Sequence, residues 1–397
     1  MSRSPLLPIF LIVFVDILGF TMIIPLLPFY AQALGASDIA IGLLFSSYAF
    51  CQLVAGPILG KLSDQYGRKP LLIFSQIGTL LGFILLAWSH SLWLIFVSRI
   101  IDGITAGNLS LAQAYIADVT VPEKRAQSFG VIGIAFGVGF TIGPGISGEL
   151  ARFGYVYPIL AACGLSLTSI LCTTFLLPRN PPLPVSALPV SDRDVPHTVP
   201  PPRASIFQPS LYLAYFRRPG LGLLLAQFLC FAFSFSTFFA GFALFAQARL
   251  RYGPTEVGHV LLAIGVLGIL IQGKVLGMLV RWLGEVRLSR IGYLVSGVGG
   301  ASVALAHNTS SIIASTGVLS MGSGLVRPAV TSLISRRSSR DEQGVVLGIT
   351  QSLQSVAQII GPVIATGLIG GGLLNQWAWA SGGFMLLGLL LSLLPAE

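Results

Sequence analysis

Asp16, Arg99, Asp102 and Arg327 lie inside long apolar runs of this 397-residue chain, where an ionised side chain is costly and needs a reason to be there. A carboxyl group in such a setting can take up and release a proton, or it can hold a structural hydrogen bond to a neighbouring helix. Arg99 and Asp102 are three residues apart, which on a helix puts them on one face and lets them pair. Arg327, in the run GLVRPAV, has three readings: snorkelling to a membrane edge, a bond to a carbonyl, or a place on a cavity wall.

The elements that must position these groups follow from composition. The chain is 54% hydrophobic and only 9% charged, too apolar to be water-soluble. Lipid is the solvent. Twelve charge-poor runs are long enough to cross a bilayer as helices: 6–28, 39–60, 70–90, 92–117, 127–150, 155–177, 220–246, 255–279, 288–307, 309–334, 343–368 and 377–395. The expected fold is therefore an all-α polytopic membrane protein of twelve transmembrane helices. An even number of crossings puts both termini on one side.

The net charge of +9 reports topology. With the N-terminus inside, eighteen of the 23 Lys and Arg fall on cytoplasmic segments and three, Arg152, Arg249 and Arg251, fall outside. No nucleic-acid partner is implied. The four cysteines, Cys51, Cys163, Cys172 and Cys230, all sit within spans and are expected to be free thiols. The first span lacks a small-residue cleavage site after it, so it is expected to stay in the protein. There is no zinc-ligand spacing, Walker loop or nucleophile elbow, so neither an enzyme, nor a cofactor or metal site, nor an ATP-driven pump is supported.

Residues 179–219 are rich in proline and charge, and read as a cytoplasmic linker between six-helix bundles at 1–178 and 220–397. The two parts are alike in sequence. YAQALGASDIAIG from Tyr30 parallels FAQARLRYGPTEVG from Phe245, Gly60…Asp64…Gly67 parallels Gly277…Arg281…Gly284, and Gly130…Gly143-Pro144 parallels Gly348…Gly361-Pro362. Two parallel six-helix repeats, forming two pseudo-symmetric bundles, resemble the layout of the major facilitator fold, which implies a midplane site between the bundles and alternating access.

Individual motifs carry that resemblance further. GKLSDQYGRKP, Gly60 to Pro70, resembles the family's loop G-x-L-x-D-x-x-G-R-[RK]. It is a tight turn in which Gly67 permits positive φ and Asp64 can accept charge-assisted hydrogen bonds. The resemblance implies a gate latch formed by Gly60, Asp64, Gly67, Arg68 and Lys69. Leu18-Gly19, Pro25 and Pro28 resemble L-G-x5-P-x-x-P of the twelve-helix drug:H⁺ antiporters. SRIIDGITAG resembles their R-x-x-Q-G, with Asp102 in place of glutamine; the resemblance implies a role in proton coupling for Arg99, with Asp16 and Asp102 the candidate acids, while the departure at Asp102 leaves a purely structural Arg99–Asp102 pair as the other reading. AYIADVTVPEKRAQSFG, with Asp118 and Arg125, reads like the tetracycline exporters and adds to the gate. Gly130, Gly139, Gly143, Pro144 and Gly148 match G-x8-G-x3-G-P-x-x-G-G but for Ser147. This pattern implies export by antiport, with the glycine face of the fifth span expected against Gly265, Gly268, Gly273 and Gly277 of the eighth.

In the seventh span Phe228, Phe231, Phe235, Phe238, Phe242 and Phe245 form an aromatic stripe, either packing or a stacking surface for cargo. Pro25, Gln52, Phe231, Phe235, Phe238 and Arg327 are the candidate cavity residues. Tetracycline exporters carry aspartates in the third and ninth spans, where this chain aligns Gly82 and Ser296, which argues against a metal-chelated tetracycline. The expectation is a monomeric proton-coupled exporter of small apolar or amphipathic molecules in the plasma (inner) membrane, its partners a small-molecule substrate, protons and the bilayer. The rivals are another cargo, such as a sugar, a metabolite or a lipid-linked headgroup, and a non-transporting sensor or scaffold.

Overall fold

The structure, a computed structural model, describes residues 6–120, 125–178, 209–270, 276–338 and 342–395. Most of the expected linker, 179–208, lies outside the described residues. The first part of the chain forms α1 (Leu6–Ala33), α2 (Asp38–Tyr66), α3 (Arg68–Ala87), α4 (Leu92–Ile104), α5 (Asn108–Val119), α6 (Arg125–Ala151) and α7 (Val156–Leu176). The second forms α8 (Pro209–Phe216), α9 (Leu221–Leu250), α10 (Pro254–Leu270), α11 (Leu276–Ser302), α12 (Thr309–Arg336), α13 (Gln343–Gly370) and α14 (Leu374–Leu393). Among the described residues there is no strand, as hydrocarbon demands of a chain whose backbone groups must bond within each segment.

Eleven stretches of described helix are long and apolar enough to cross a membrane, and Pro254–Leu270 is a shorter apolar helix. The eighth expected span, 255–279, passes through residues 271–275, which lie outside the described residues. Beyond them α11 runs on from Leu276 and bends at Gly284, where φ is 72°. The eighth and ninth spans therefore meet at a glycine bend inside one helical run. Large apolar side chains, among them Ile58, Leu81, Leu171, Leu294 and Leu390, cover the outer surface, and Trp88, Trp93, Phe153, Phe175 and Trp282 are exposed at helix ends, the place of interfacial aromatic belts.

The fourth expected span is a broken helix. α4 stops at Ile104 and α5 starts at Asn108, and Ser75 of α3 repairs the gap: its hydroxyl donates to the Thr105 carbonyl and accepts from the Gly107 N–H at 2.9 Å. α8 was not expected within the linker. It is held where Arg218 stacks over the Tyr215 ring at 4.2 Å and pairs with Glu342 at 2.8 Å, just before α13. Burial pushes the Tyr215 phenol up from its ordinary value, helped by the Glu342 charge.

The two parts of the chain meet along α6 with α10 and α2 with α13. In the first seam Thr255 donates to the Gly148 carbonyl at 2.9 Å and His259 contacts Glu149 at 2.5 Å. In the second, Ser46 donates to the Ile359 carbonyl at 2.5 Å, and Gly42 fits against Pro362, Val363 and Thr366. Both contacts lie at the end opposite the Gly67 turn. Toward that turn the same face of α2 continues through Leu53, Gly56 and Gly60, which are partly exposed, and both glycines have open space around them. Gly133 and Gly137 of α6 and Gly348 of α13 are equally open. The bundles are sealed at one end and parted at the other, leaving a cleft that opens on the side of Arg68.

Candidate functional site

Within the first bundle α1, α2, α3, α4 and α7 bring seven polar side chains together. Asp16 of α1 is partly exposed and stands within hydrogen-bonding reach of Ser169 and Gln76, with Asp102 inside its electrostatic range. Gln76 of α3 donates to Ser169 of α7 at 2.7 Å. Arg99 and Asp102 contact at 3.3 Å with side chains only 4% and 3% exposed, and the Arg99 guanidinium lies 5.9 Å from the centroid of Phe83. Tyr48 of α2 borders this pair and accepts from Gln52 at 3.3 Å.

Close helix approach explains why these groups can meet. A Cβ on Gly82 would sit 2.9 Å from the Asp102 Cβ, and one on Gly103 would sit 2.8 Å from the Tyr48 carbonyl. An aspartate at position 82 has no room here; Asp102 occupies that place. Among the described residues Arg99 Nε and Nη2, Asp102 Oδ2 and Gln76 Oε1 are buried without hydrogen-bond partners, so the cluster holds spare hydrogen-bond donors and acceptors in a low-dielectric setting.

At the open end the Gly67 turn has φ 95°, a conformation that favours glycine. Arg68 reaches back to Asp64 at 2.7 Å and across to Asp118, at the end of α5, at 2.8 Å. Lys69 donates to the carbonyls of Thr174 and Leu177 at 2.7 and 2.6 Å. Arg125 and Gly130 fall in the first turns of α6, where side-chain placement lies outside the described residues.

A second charged turn went unread in the sequence. Gly284, with φ 72°, is followed by Glu285, which pairs with Arg336 at 3.1 Å and accepts from Ser332 at 2.8 Å. This is the counterpart of Gly67, Arg68 and Asp118 with the charges exchanged. Matching glycines drew attention to the repeat, but the inverted charges are visible only when both loops are paired with the ends of the helices they touch.

The fifth-span pattern divides between two partners. Gly139 and Gly143 press on α1, where Cβ atoms would come 2.6 Å from Ile17 and 3.3 Å from the Leu18 carbonyl, and Thr21 donates to the Gly139 carbonyl at 2.9 Å. Pro144 and Gly148 face α10 at Gly258, and Thr141 faces Gly265. The expectation of one glycine face against the eighth span is thus corrected. Gly139 and Gly148 are nine residues apart, about half a turn out of phase at 100° per residue, and point to opposite sides. On the other helix Gly268 lies near Ser320 of α12, Gly277 has open space, and Gly273 is outside the described residues.

The aromatic stripe divides too. Its steps average about 3.4 residues, short of 3.6, so it winds around α9. Phe238 and Phe245 pack on Trp377 at 5.8 and 4.8 Å, and Phe231, Phe238 and Phe242 are buried. Phe235 is partly buried and meets Phe140 of α6 at 6.5 Å. Phe239, outside the stripe, meets Phe140 at 6.0 Å and Phe235 at 4.4 Å, making an aromatic bridge between the bundles. Pro25 is buried, Gln52 is partly exposed, and Arg327 is exposed in the inner half of α12.

A sequence profile of the Major Facilitator Superfamily matches residues 9–362, and the chain belongs to that family of transporters. Relatives include the class C tetracycline resistance protein of Escherichia coli, 30% identical over 92% of this chain and 90% of that protein. The class H protein of Pasteurella multocida is 31% identical over 92% and 88%, and multidrug resistance protein 2 of Bacillus subtilis 26% over 89% and 85%. Among solved structures, an inward-facing, unoccupied bacterial homologue of the human lysosomal transporter Spinster has the same fold, with TM-score 0.77, 15% identity, and coverage of 99% and 97%. The human organic anion transporter MFSD10 (TETRAN) shares it at TM-score 0.72 and 23% identity, over 98% and 100%.

Proposed function

We propose that this transporter is a proton-coupled antiporter that exports small apolar or amphipathic molecules from the cytoplasm by alternating access. The observation that carries the reading is Asp16: a carboxyl group well inside a membrane helix, partly exposed and gathered with Gln76, Ser169, Asp102 and Arg99. Protonation of Asp16 removes a charge that the cavity wall must otherwise solvate. Cargo and proton then compete for one cleft, which is the minimum device for exchange.

The tetracycline and multidrug resistance relatives support an exporter by analogy. The crowding of Gly82 against Asp102 speaks against tetracycline itself as cargo, because the acid that the resemblance expects in the third span cannot be seated. A scaffold would have no use for unpaired buried polar atoms around Asp102, and a sugar would want more hydrogen-bonding side chains than the Phe140–Phe235–Phe239 bridge offers.

The division into bundles at 1–178 and 220–397 with a linker at 179–219, a monomeric state, and a plasma-membrane setting with cytoplasmic termini belong to the same proposal. Cysteines introduced at Ser186 and Ser310 read the orientation: an impermeant external reagent should modify the second alone, and the reverse pattern inverts the topology. The coupling test is proton release from reconstituted vesicles on adding members of a panel of lipophilic compounds. Release that tracks cargo affinity supports antiport; cargo binding with no proton released contradicts it.

A further inference from the structure

Arg327 is in the wrong place for a structural arginine. It lies nine residues before the end of α12, roughly 13 Å along the axis. Among the described residues its guanidinium has no ion pair and no hydrogen bond, whereas Arg99 has Asp102, Arg249 has the Ala304 carbonyl and Arg290 the Ser392 carbonyl. Yet it is exposed.

The side it faces can be read from the helix. Thr316, Ser320, Ser323, Arg327 and Thr331 recur at steps of four, three, four and four, one polar stripe along α12. Ser320 on that stripe donates to the Ile264 carbonyl of α10 at 3.3 Å, so the stripe looks into the protein. Val318 and Met321, turned well over 90° away from Arg327, are exposed apolar residues that face lipid, and the third, Ile313, lies more than three turns away at the other end of the helix. Val326 and Val330, flanking Arg327, share a buried cluster with Phe228 and Phe231 of α9, with Phe235 packed against it. An unpaired guanidinium thus stands beside the buried cluster against which Phe235 of the Phe140–Phe235–Phe239 bridge packs.

We infer that the cargo is an amphipathic aromatic anion, its carboxylate or sulfonate held by Arg327 and its ring by Phe235 and Phe239. This rests on the transport reading and names its substrate class. A planar guanidinium offers two parallel donors to such an acid group, and an aromatic wall supplies an apolar surface without charge. The unpaired cation is the part a neutral or cationic cargo would leave unexplained.

The test is equilibrium binding to purified protein, with no gradient, of 2-naphthoate and 2-naphthalenesulfonate against the neutral 2-naphthamide and the cationic 2-naphthylmethylammonium. The wild type should prefer the two anions by at least about tenfold, the size of one charge-assisted hydrogen-bonded contact. Arg327→Gln should abolish that preference and Arg327→Lys keep most of it, each variant being monodisperse with an unchanged melting profile. Binding of the amide or the ammonium as tight as the anions, failure to bind either anion, or an undiminished preference in Arg327→Gln overturns the inference. Because no proton movement is read, anion preference without cargo-driven proton release would refute antiport and leave the substrate class standing.

Discussion

Gly148 of α6 and Gly258 of α10 pack backbone on backbone: a Cβ on the first would lie 3.2 Å from the Cα of the second, and the reverse distance is 3.0 Å. No side chain separates the bundles at this point. A leucine at either position overpacks the seam by about 1–3 kcal/mol, enough to move a balanced two-state equilibrium roughly five- to a hundredfold. Spin-label distances across the Thr255 end should show the sealed population falling in Gly148→Leu. Gly143→Leu, which strikes Thr21 of α1 within one bundle, should lower thermal stability and leave that distance distribution in place. Equal effects of the two variants on the distribution would contradict the division of the motif between two faces.

Asp16→Asn keeps the volume and removes the ionisable group. Proton-driven efflux should be lost, at least about tenfold in rate, while cargo exchange between equal pools continues. Efflux by Asp16→Asn that still rises with the proton gradient would move the coupling group to Asp102, which Asp102→Asn in the same background then tests.

The paired charged turns predict a rescue. Arg68→Ala breaks contacts to Asp64 and Asp118, and Glu285→Ala breaks those to Arg336 and Ser332; each should slow transport several-fold with cargo affinity changed less than about twofold, since both turns lie far from the cleft floor. Exchanging charges within the second turn, Glu285→Arg with Arg336→Glu, should restore much of the rate lost in Glu285→Arg alone. Weakened cargo binding with an unchanged rate would place these turns in the binding site instead.

How much of this was legible in sequence depends on the length scale of each feature. The apolar runs gave helix positions because a bilayer imposes one period and one length, and the Arg68 turn was legible because a positive-φ glycine beside charges is a local pattern. The breaks were not. α4 can end at Ile104 because Ser75, 30 residues before Thr105, is placed to satisfy the freed backbone, and the bend at Gly284 joins spans that hydropathy separates. The glycine motif was legible as a motif but misread as one face, an error that helical phase alone would have prevented. Phe140 and Phe239 were missed because their role arises between bundles, where neither spacing nor composition leaves a mark.

The most direct measurement is cargo accumulation against its own gradient in inside-out vesicles whose lumen is acidified. If this protein couples export to proton entry, accumulation should exceed the external concentration only while the lumen is acid, collapse on adding a protonophore, and be absent in Asp16→Asn. Equilibration that stops at equal concentrations, untouched by the protonophore and the same in Asp16→Asn, would show facilitated passage without coupling and contradict the central claim.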